Sequence, residues 1–199
     1  MRKAYRVSTL LEQTLEICRW VYNDTLALRK NAWEQEQRSI SLYETNKILT
    51  EWKKERPDLN QVYSQVLQNV QMRVDLAFKA FFRRVKAGEN PGYPGFKGKG
   101  RYDSFTYPQS GFKLEGDHLH LSKIGDVKIL LHRPIEGTIK TLTICRSSTG
   151  KWYACFSVEY DPSPLPQKET AVGIDVGLES FATLSNGEKI ENPRVLPHR

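Results

Sequence analysis

From about Leu10 the apolar residues recur at intervals of three and four. Leu11, Leu15, Cys18, Val21, Tyr22, Thr25 and Leu28 share one face of a 3.6-residue period, which predicts a helix. The preceding "MRKAYRV" is short and basic and reads as a strand. A second helix is expected from "SLYE", where Ser41 and Glu44 have the spacing of a capping box, to Arg56, just before Pro57. The third helical pattern is the longest. Asp58 is the expected cap and Val62, Val66, Asn69, Val70, Ala77, Phe81 and Val85 form its apolar stripe. Tyr63, Leu67, Val74, Phe78 and Phe82 widen that stripe, and Gly88 ends the helix.

After Arg101 the period changes from 3.6 to 2. "DSFTYP", "HLHLS", "VKILLH", "TIKTLTICR" and "KWYACFSVEY" read as short antiparallel strands, which suggests a small barrel. Trp152, Ala154, Phe156 and Val158 fall on one face of the last strand, and "SSTG" turns into it. Between the two regimes lies "GENPGYPGFKGKGR", residues 88–101, too rich in glycine and proline for a regular element. "DPSPLPQKE", residues 161–169, is a proline-rich linker. Beyond it "TAVGIDVG", "LESFATLSNG" and "EKIENP" read as three strands with an Asn186-Gly187 hairpin turn.

Charge changes this picture. The chain has 199 residues and a net charge of +7. Residues 1–101 hold 19 Lys and Arg against 11 Asp and Glu, so the whole basic excess lies in the helical half. Such asymmetry points to a polyanionic partner, nucleic acid above all. In the 88–101 stretch Lys97, Lys99 and Arg101 alternate with glycine beside Tyr93 and Phe96. A flexible basic segment with stacking rings can follow a phosphate backbone, and a plain disordered linker has the same composition. Arg83, Arg84 and Lys86 extend this basic set onto the third helix.

Other chemistry is sparse. Cys18, Cys145 and Cys155 make no CxxC pair and read as buried free thiols of a cytoplasmic protein. His118 and His120 share one strand face with no third ligand near in sequence, so they read as exposed strand residues. No apolar run is long enough to span a membrane, and no signal peptide is visible. Asp175 stands between Gly173 and Gly177 at the end of an apolar strand, a common arrangement that is weak by itself.

Several segments together are more specific. "CRWVYNDTLALR", "LQNVQMRVDLAFKAFFRRVKAG", "YPGFKGKGRYDSFTYPQ", "TIKTLTICRSSTGKWYACFSVE" and "AVGIDVGLESFATLSNGEKIENPR" resemble, in this order, the TnpB (OrfB) family. These are insertion-sequence-encoded RNA-guided nucleases related to the type V CRISPR effectors. The resemblance implies an α+β fold: a helical recognition lobe (10–88) inserted in a small antiparallel β-barrel, the wedge domain (1–9 and 102–161). A basic loop (89–101), a linker (162–169) and the first β-hairpin of a ribonuclease-H-like RuvC domain (170–199) complete the expected organisation.

The resemblance also implies site residues and partners. Asp175 takes the position of the first catalytic carboxylate, a Mg²⁺ ligand in intact members. Tyr43, Gln68 and Thr106 take positions near the motif that flanks the DNA target. Ser64 takes another, with a shorter side chain than the family pattern has there. The implied partners are a guide RNA and DNA. Two departures accompany the match: the first strand is short by about ten residues relative to the family, and the 199 residues contain neither the second RuvC carboxylate, nor the last, nor a zinc ribbon. A two-metal nuclease holds its ions about 4 Å apart with several carboxylates, and Glu179 and Glu188 read as solvated surface. The expectation is therefore binding without cleavage and without a stably held Mg²⁺. A non-catalytic RNA- or DNA-binding regulator derived from such a nuclease is the alternative.

Overall fold

The long first helix follows from the apolar stripe beginning at Leu11. In the computed structural model, which describes residues 2–162 and 171–193, helix α1 runs from Arg2 to Glu36. Residues 2–9 are thus helical and not the strand expected for them. Extending an existing helix gains one hydrogen bond per residue fixed, and Arg2, Lys3, Ala4 and Arg6 are strong helix formers. The helix stops in an αL cap, where Gln37 takes a φ of 52° and its N–H donates to Trp33 O at 3.0 Å. Helix α2 (Leu42–Glu55) carries the expected capping box: Ser41 N–H donates to Glu44 Oε2 at 2.9 Å and Glu44 N–H to Ser41 Oγ at 3.3 Å. The bonds that Ser41 N–H and Ser41 Oγ donate to the Glu44 carboxylate, with Arg38, hold it down at about 2.

The third helix starts later than expected. Pro57 opens a separate 3-10 turn (Pro57–Gln61), and Asp58 bonds the Arg56 guanidinium at 2.9 Å instead of capping. Helix α3 (Ser64–Lys86) then ends before Gly88, whose φ of +71° favours glycine. Its stripe is buried at Val66, Leu67, Val70, Val74 and Phe78 against Leu11, Leu15, Cys18, Val21, Tyr22 and Leu26 of α1. Phe82 and Val85, at the end of the stripe, are exposed.

The period-2 segments form two three-stranded antiparallel sheets. One has the order β1 (Ser104–Tyr107), β5 (Thr138–Arg146), β6 (Trp152–Glu159). The other is β2 (Phe112–Glu115), β3 (His118–Leu121), β4 (Gly125–Lys128). Strand β2 was not expected, and of "VKILLH" only Val127 and Lys128 join a strand. Phe105, Tyr107, Leu142 and Ile144 of the first sheet and Leu119 and Leu121 of the second join the helical core in one cluster. The expected closed barrel is absent among the described residues. The sheets leave instead a groove of about 1480 Å³, lined by Leu121, Val127, Ile144, Trp152 and Phe156 among others.

Chain contacts divide the protein between Tyr160 and Asp161. Most of the linker expected at 162–169 lies outside the described residues. In the second unit β7 (Ile174–Asp175), β8 (Ser180–Leu184) and β9 (Lys189–Glu191) form an antiparallel sheet in that order. The Asn186-Gly187 turn is as expected, with Gly187 at a φ of +90°. Ala182 is buried, while Ile174, Val176, Leu178 and Phe181 are exposed. The coarse class is therefore α+β, with two helix-backed sheets and a small separate one.

Candidate nucleic-acid interface

Helix α3 positions most of the candidate residues. Ser64 and Gln68 are exposed one turn apart on its solvent side. Arg83, Arg84 and Lys86 are exposed at its last turn, where a cation also complements the helix dipole. At 1.5 Å per residue, Gln68 and Arg83 stand about 22 Å apart along one rod. Two bonds set α2 antiparallel to the first half of this rod: Gln71 Nε2 donates to Thr45 O at 2.9 Å, and Lys53 Nζ to Ser64 Oγ at 2.7 Å. Tyr43 is exposed at the start of α2, with Lys47 Nζ 4.6 Å from its ring centre. Burial, with the neighbouring charge of Lys123, lowers the Lys53 ammonium pKa.

The basic loop is anchored. Asn23 on α1 grips the backbone of Lys97 from both sides: Lys97 N–H donates to Asn23 Oδ1 at 2.8 Å, and Asn23 Nδ2 donates to Lys97 O at 3.0 Å. Arg19 Nη1 donates to the same carbonyl at 3.1 Å. Further back, the Tyr93 ring meets Phe81 and Phe78 edge-on, at centroid distances of 5.3 and 5.7 Å. The loop is therefore tied to the helices at two points. Lys97 lies 5.7 Å from the Tyr22 ring centre, while Lys99 and Arg101 are exposed. Phe82, exposed, stacked on Phe78 and edge-on to Phe81, completes an aromatic platform next to Arg83 and Arg84.

Thr106 is not an isolated contact. It sits on β1, and its hydroxyl accepts from Arg73 Nη2 and bonds Thr143 Oγ1, both at 2.8 Å. Arg73 of α3 also donates to Ser104 O at 2.8 Å and thereby ties the helix to the sheet edge. Arg19, Asn23 and Arg73 were not singled out in the sequence. Their work is done through long-range bonds, and the only local signal was a polar residue inside an otherwise apolar helical stripe.

Asp175 lies at the end of β7, opposite Thr183, and is exposed. Glu179 and Glu188 are exposed too, and no group of three His, Cys, Asp or Glu that could hold an ion exists among the described residues. The side chains described do not fit a two-metal centre, because one carboxylate cannot hold two hard cations. His118 and His120 are exposed on β3, each bonded to an aspartate, Asp117 at 2.7 Å and Asp126 at 2.8 Å. Of the thiols, Cys18 is buried and pushed up to about 12 by that burial. Cys145 is half-buried and Cys155 is exposed, so the expectation of three buried thiols holds for Cys18 alone.

Comparison with known proteins agrees with the resemblance. A helix-turn-helix domain family, that of the IS605 OrfB proteins, matches residues 1–38. The chain is 38% identical over 189 residues to a Streptomyces pristinaespiralis protein named "Putative RNA-guided DNA endonuclease", covering 92% of this chain and 46% of that one. It is 35% identical over 179 residues to the Escherichia coli K12 "Putative RNA-guided DNA endonuclease InsQ", covering 87% and 43%. The chain thus spans less than half the length of each of these relatives. Identity sustained over nine-tenths of the chain, together with the matched OrfB domain at its start, makes this protein a member of the TnpB (OrfB) family.

Proposed function

We propose that this chain binds guide RNA and target DNA in the manner of TnpB proteins and does not cleave DNA by itself. The carrying observation is the α3 rod. It presents Ser64 and Gln68 near Tyr43 at one end, and Arg83, Arg84 and Lys86 beside an exposed aromatic platform at the other. Its span is comparable to one turn of duplex, about 34 Å. Cations spaced along it and along the anchored loop suit a phosphate backbone, and the rings beside them suit unpaired bases. Tyr43, Ser64, Gln68 and Thr106 are assigned to the DNA beside the target. Arg83, Arg84, Lys86, Lys97, Lys99 and Arg101 are assigned to phosphates.

In this reading residues 10–88 form the recognition lobe, 102–161 the wedge domain and 170–199 the start of a RuvC-like domain. Absence of cleavage is argued from ligand count, since no group of three His, Cys, Asp or Glu that could hold an ion occurs among the described residues. The test is a cleavage assay on matched target DNA with Mg²⁺ or Mn²⁺ and the RNA that copurifies with the protein. Wild type and Asp175→Ala should bind with the same affinity, and neither should cut. Cutting by wild type that Asp175→Ala abolishes would make the chain a complete nuclease under these conditions. Failure to retain any RNA or bind DNA would overturn the binding reading itself.

A further inference from the structure

The β1-β5-β6 sheet has two unlike faces. Phe105, Tyr107, Leu142 and Ile144 point into the core. On the other face the strand register aligns Thr106 with Thr143 and Thr143 with Cys155, and next to them Thr141 with Ser157. Cys155 and Ser157 are exposed and Thr143 is partly so. Around Thr143 this face carries small hydroxyl and thiol groups, with the exposed ring of Tyr153 opposite Cys145. Among its paired positions the one carboxylate, Glu159, is ion-paired with Lys140.

A charge feeds this face from its edge. A guanidinium can only donate, so Thr106 Oγ1 accepts from Arg73 Nη2. Thr106 then has one proton to give, and Thr143 Oγ1 lies 2.8 Å away. Either hydroxyl of this pair can donate, and a hydroxyl that already accepts from a cation is the stronger donor, which favours the order Arg73 to Thr106 to Thr143. Thr143 is left with its own proton, and no further hydrogen bond of its hydroxyl occurs among the described residues. The open end of the chain of bonds is a donor, polarised by a positive charge two bonds back. Such an end attracts an anionic acceptor and repels a cation.

We propose that Thr143 is a nucleic-acid contact of this protein, the terminal donor of an Arg73–Thr106–Thr143 relay that binds a phosphate oxygen. The inference rests on the nucleic-acid-binding reading and adds to it a residue and a direction. Thr106, whose hydroxyl is engaged on both sides, serves the interface assigned to it above by positioning Thr143, and the phosphate contact itself is made by Thr143. The phosphate belongs either to duplex DNA or to a folded RNA.

The experiment measures binding of the whole chain to a short DNA duplex and, separately, to an RNA hairpin by fluorescence anisotropy across a salt series. Thr143→Val keeps the shape and removes the donor. It should weaken binding of at least one probe about fivefold to tenfold. The salt slope should not change, because a neutral donor releases no counterion. Thr143→Ser should restore affinity. Thr106→Val should cost a similar factor, and the double variant should be no weaker than either single one, since both cut the same relay. Loss confined to one probe assigns the phosphate to DNA or to RNA. Unchanged binding of both probes by Thr143→Val overturns the inference, as does failure of Thr143→Ser to restore binding while the variant remains folded by circular dichroism. Wild-type protein that binds neither probe overturns the functional reading and this inference with it. Binding by wild type that Thr143→Val retains overturns the inference alone.

Discussion

Removing the Asp75 carboxylate should loosen α1 from α3 beneath the aromatic platform. Asp75 is buried in α3, and its Oδ1 accepts from Arg29 Nη1 of α1 at 2.9 Å, while Lys79 Nζ lies 2.9 Å from Oδ2. The Arg29 side chain is only 13% exposed and its guanidinium carbon sits 4.6 Å from the Phe78 ring centre. At this separation the gross attraction is about 6 kcal/mol for an effective dielectric near 20, and desolvation of both groups offsets much of it. Removing one partner leaves the other buried and uncompensated, which costs 3–5 kcal/mol in typical cases, about 3 kcal/mol for a pair this near the surface. Asp75→Ala should therefore lower the melting temperature by about 6–12 °C, at 2–4 °C per kcal/mol for a unit of this size. Arg29→Met with Asp75→Leu should cost less than the sum of the single changes. All four tryptophans, Trp20, Trp33, Trp52 and Trp152, lie before residue 161, so tryptophan fluorescence reports this unit alone.

The same pair sets a pH dependence. Burial raises the Asp75 carboxyl, but the bonds from Lys79 and Arg29 and their charges outweigh it, and the pKa ends below the usual carboxylate value. A depressed folded-state pKa means that the stabilisation is complete above the unfolded pKa of about 3.9. It disappears as pH falls through the lower folded value. Wild type should thus lose more stability on acidification below pH 4 than Asp75→Ala does. A melting shift in Asp75→Ala below about 2 °C, or strict additivity in the double variant, would refute the reasoning.

Two further outcomes test the interface and the fold. Lys97→Gln, Lys99→Gln and Arg101→Gln together should weaken nucleic-acid binding and reduce the logarithmic salt slope by up to about 2.7 on duplex DNA, with the loop backbone still held by Asn23; an unchanged slope on a salt titration would make the loop an anchor only. Gly111→Ala should destabilise the protein by about 2 kcal/mol in urea unfolding, because Gly111 has a φ of +86° and an added Cβ would lie 2.5 Å from Cε1 of Tyr63.

What could be read in the sequence was local, and what could not was set by distant contacts. The capping box at Ser41 and Glu44, the α3 stripe, the stop at Gly88 and the Asn186-Gly187 turn each depend on residues within four positions of one another. All were legible. The strand expected at 1–9 failed because a local preference yielded to propagation from α1. The late start of α3 had a similar cause, since Asp58 found a guanidinium two residues away before it found a helix end. The barrel failed at a larger scale. Alternating strands specify sheet faces, yet closure requires pairing between the outer strands of two sheets, and no short pattern encodes that pairing.

The candidate interface divides along the same line. Its charges were visible because composition alone concentrates them in residues 1–101. The loop looked free because glycine and proline describe only what a backbone is unable to do regularly. They say nothing about Asn23, 74 residues away, holding Lys97. Likewise Thr106 is a candidate by resemblance, whereas its bond to Arg73, 33 residues away, depends on the fold. Resemblance transfers positions, while the bonds a side chain already makes inside the fold, such as those of Thr106 to Arg73 and Thr143, have to be read from the structure.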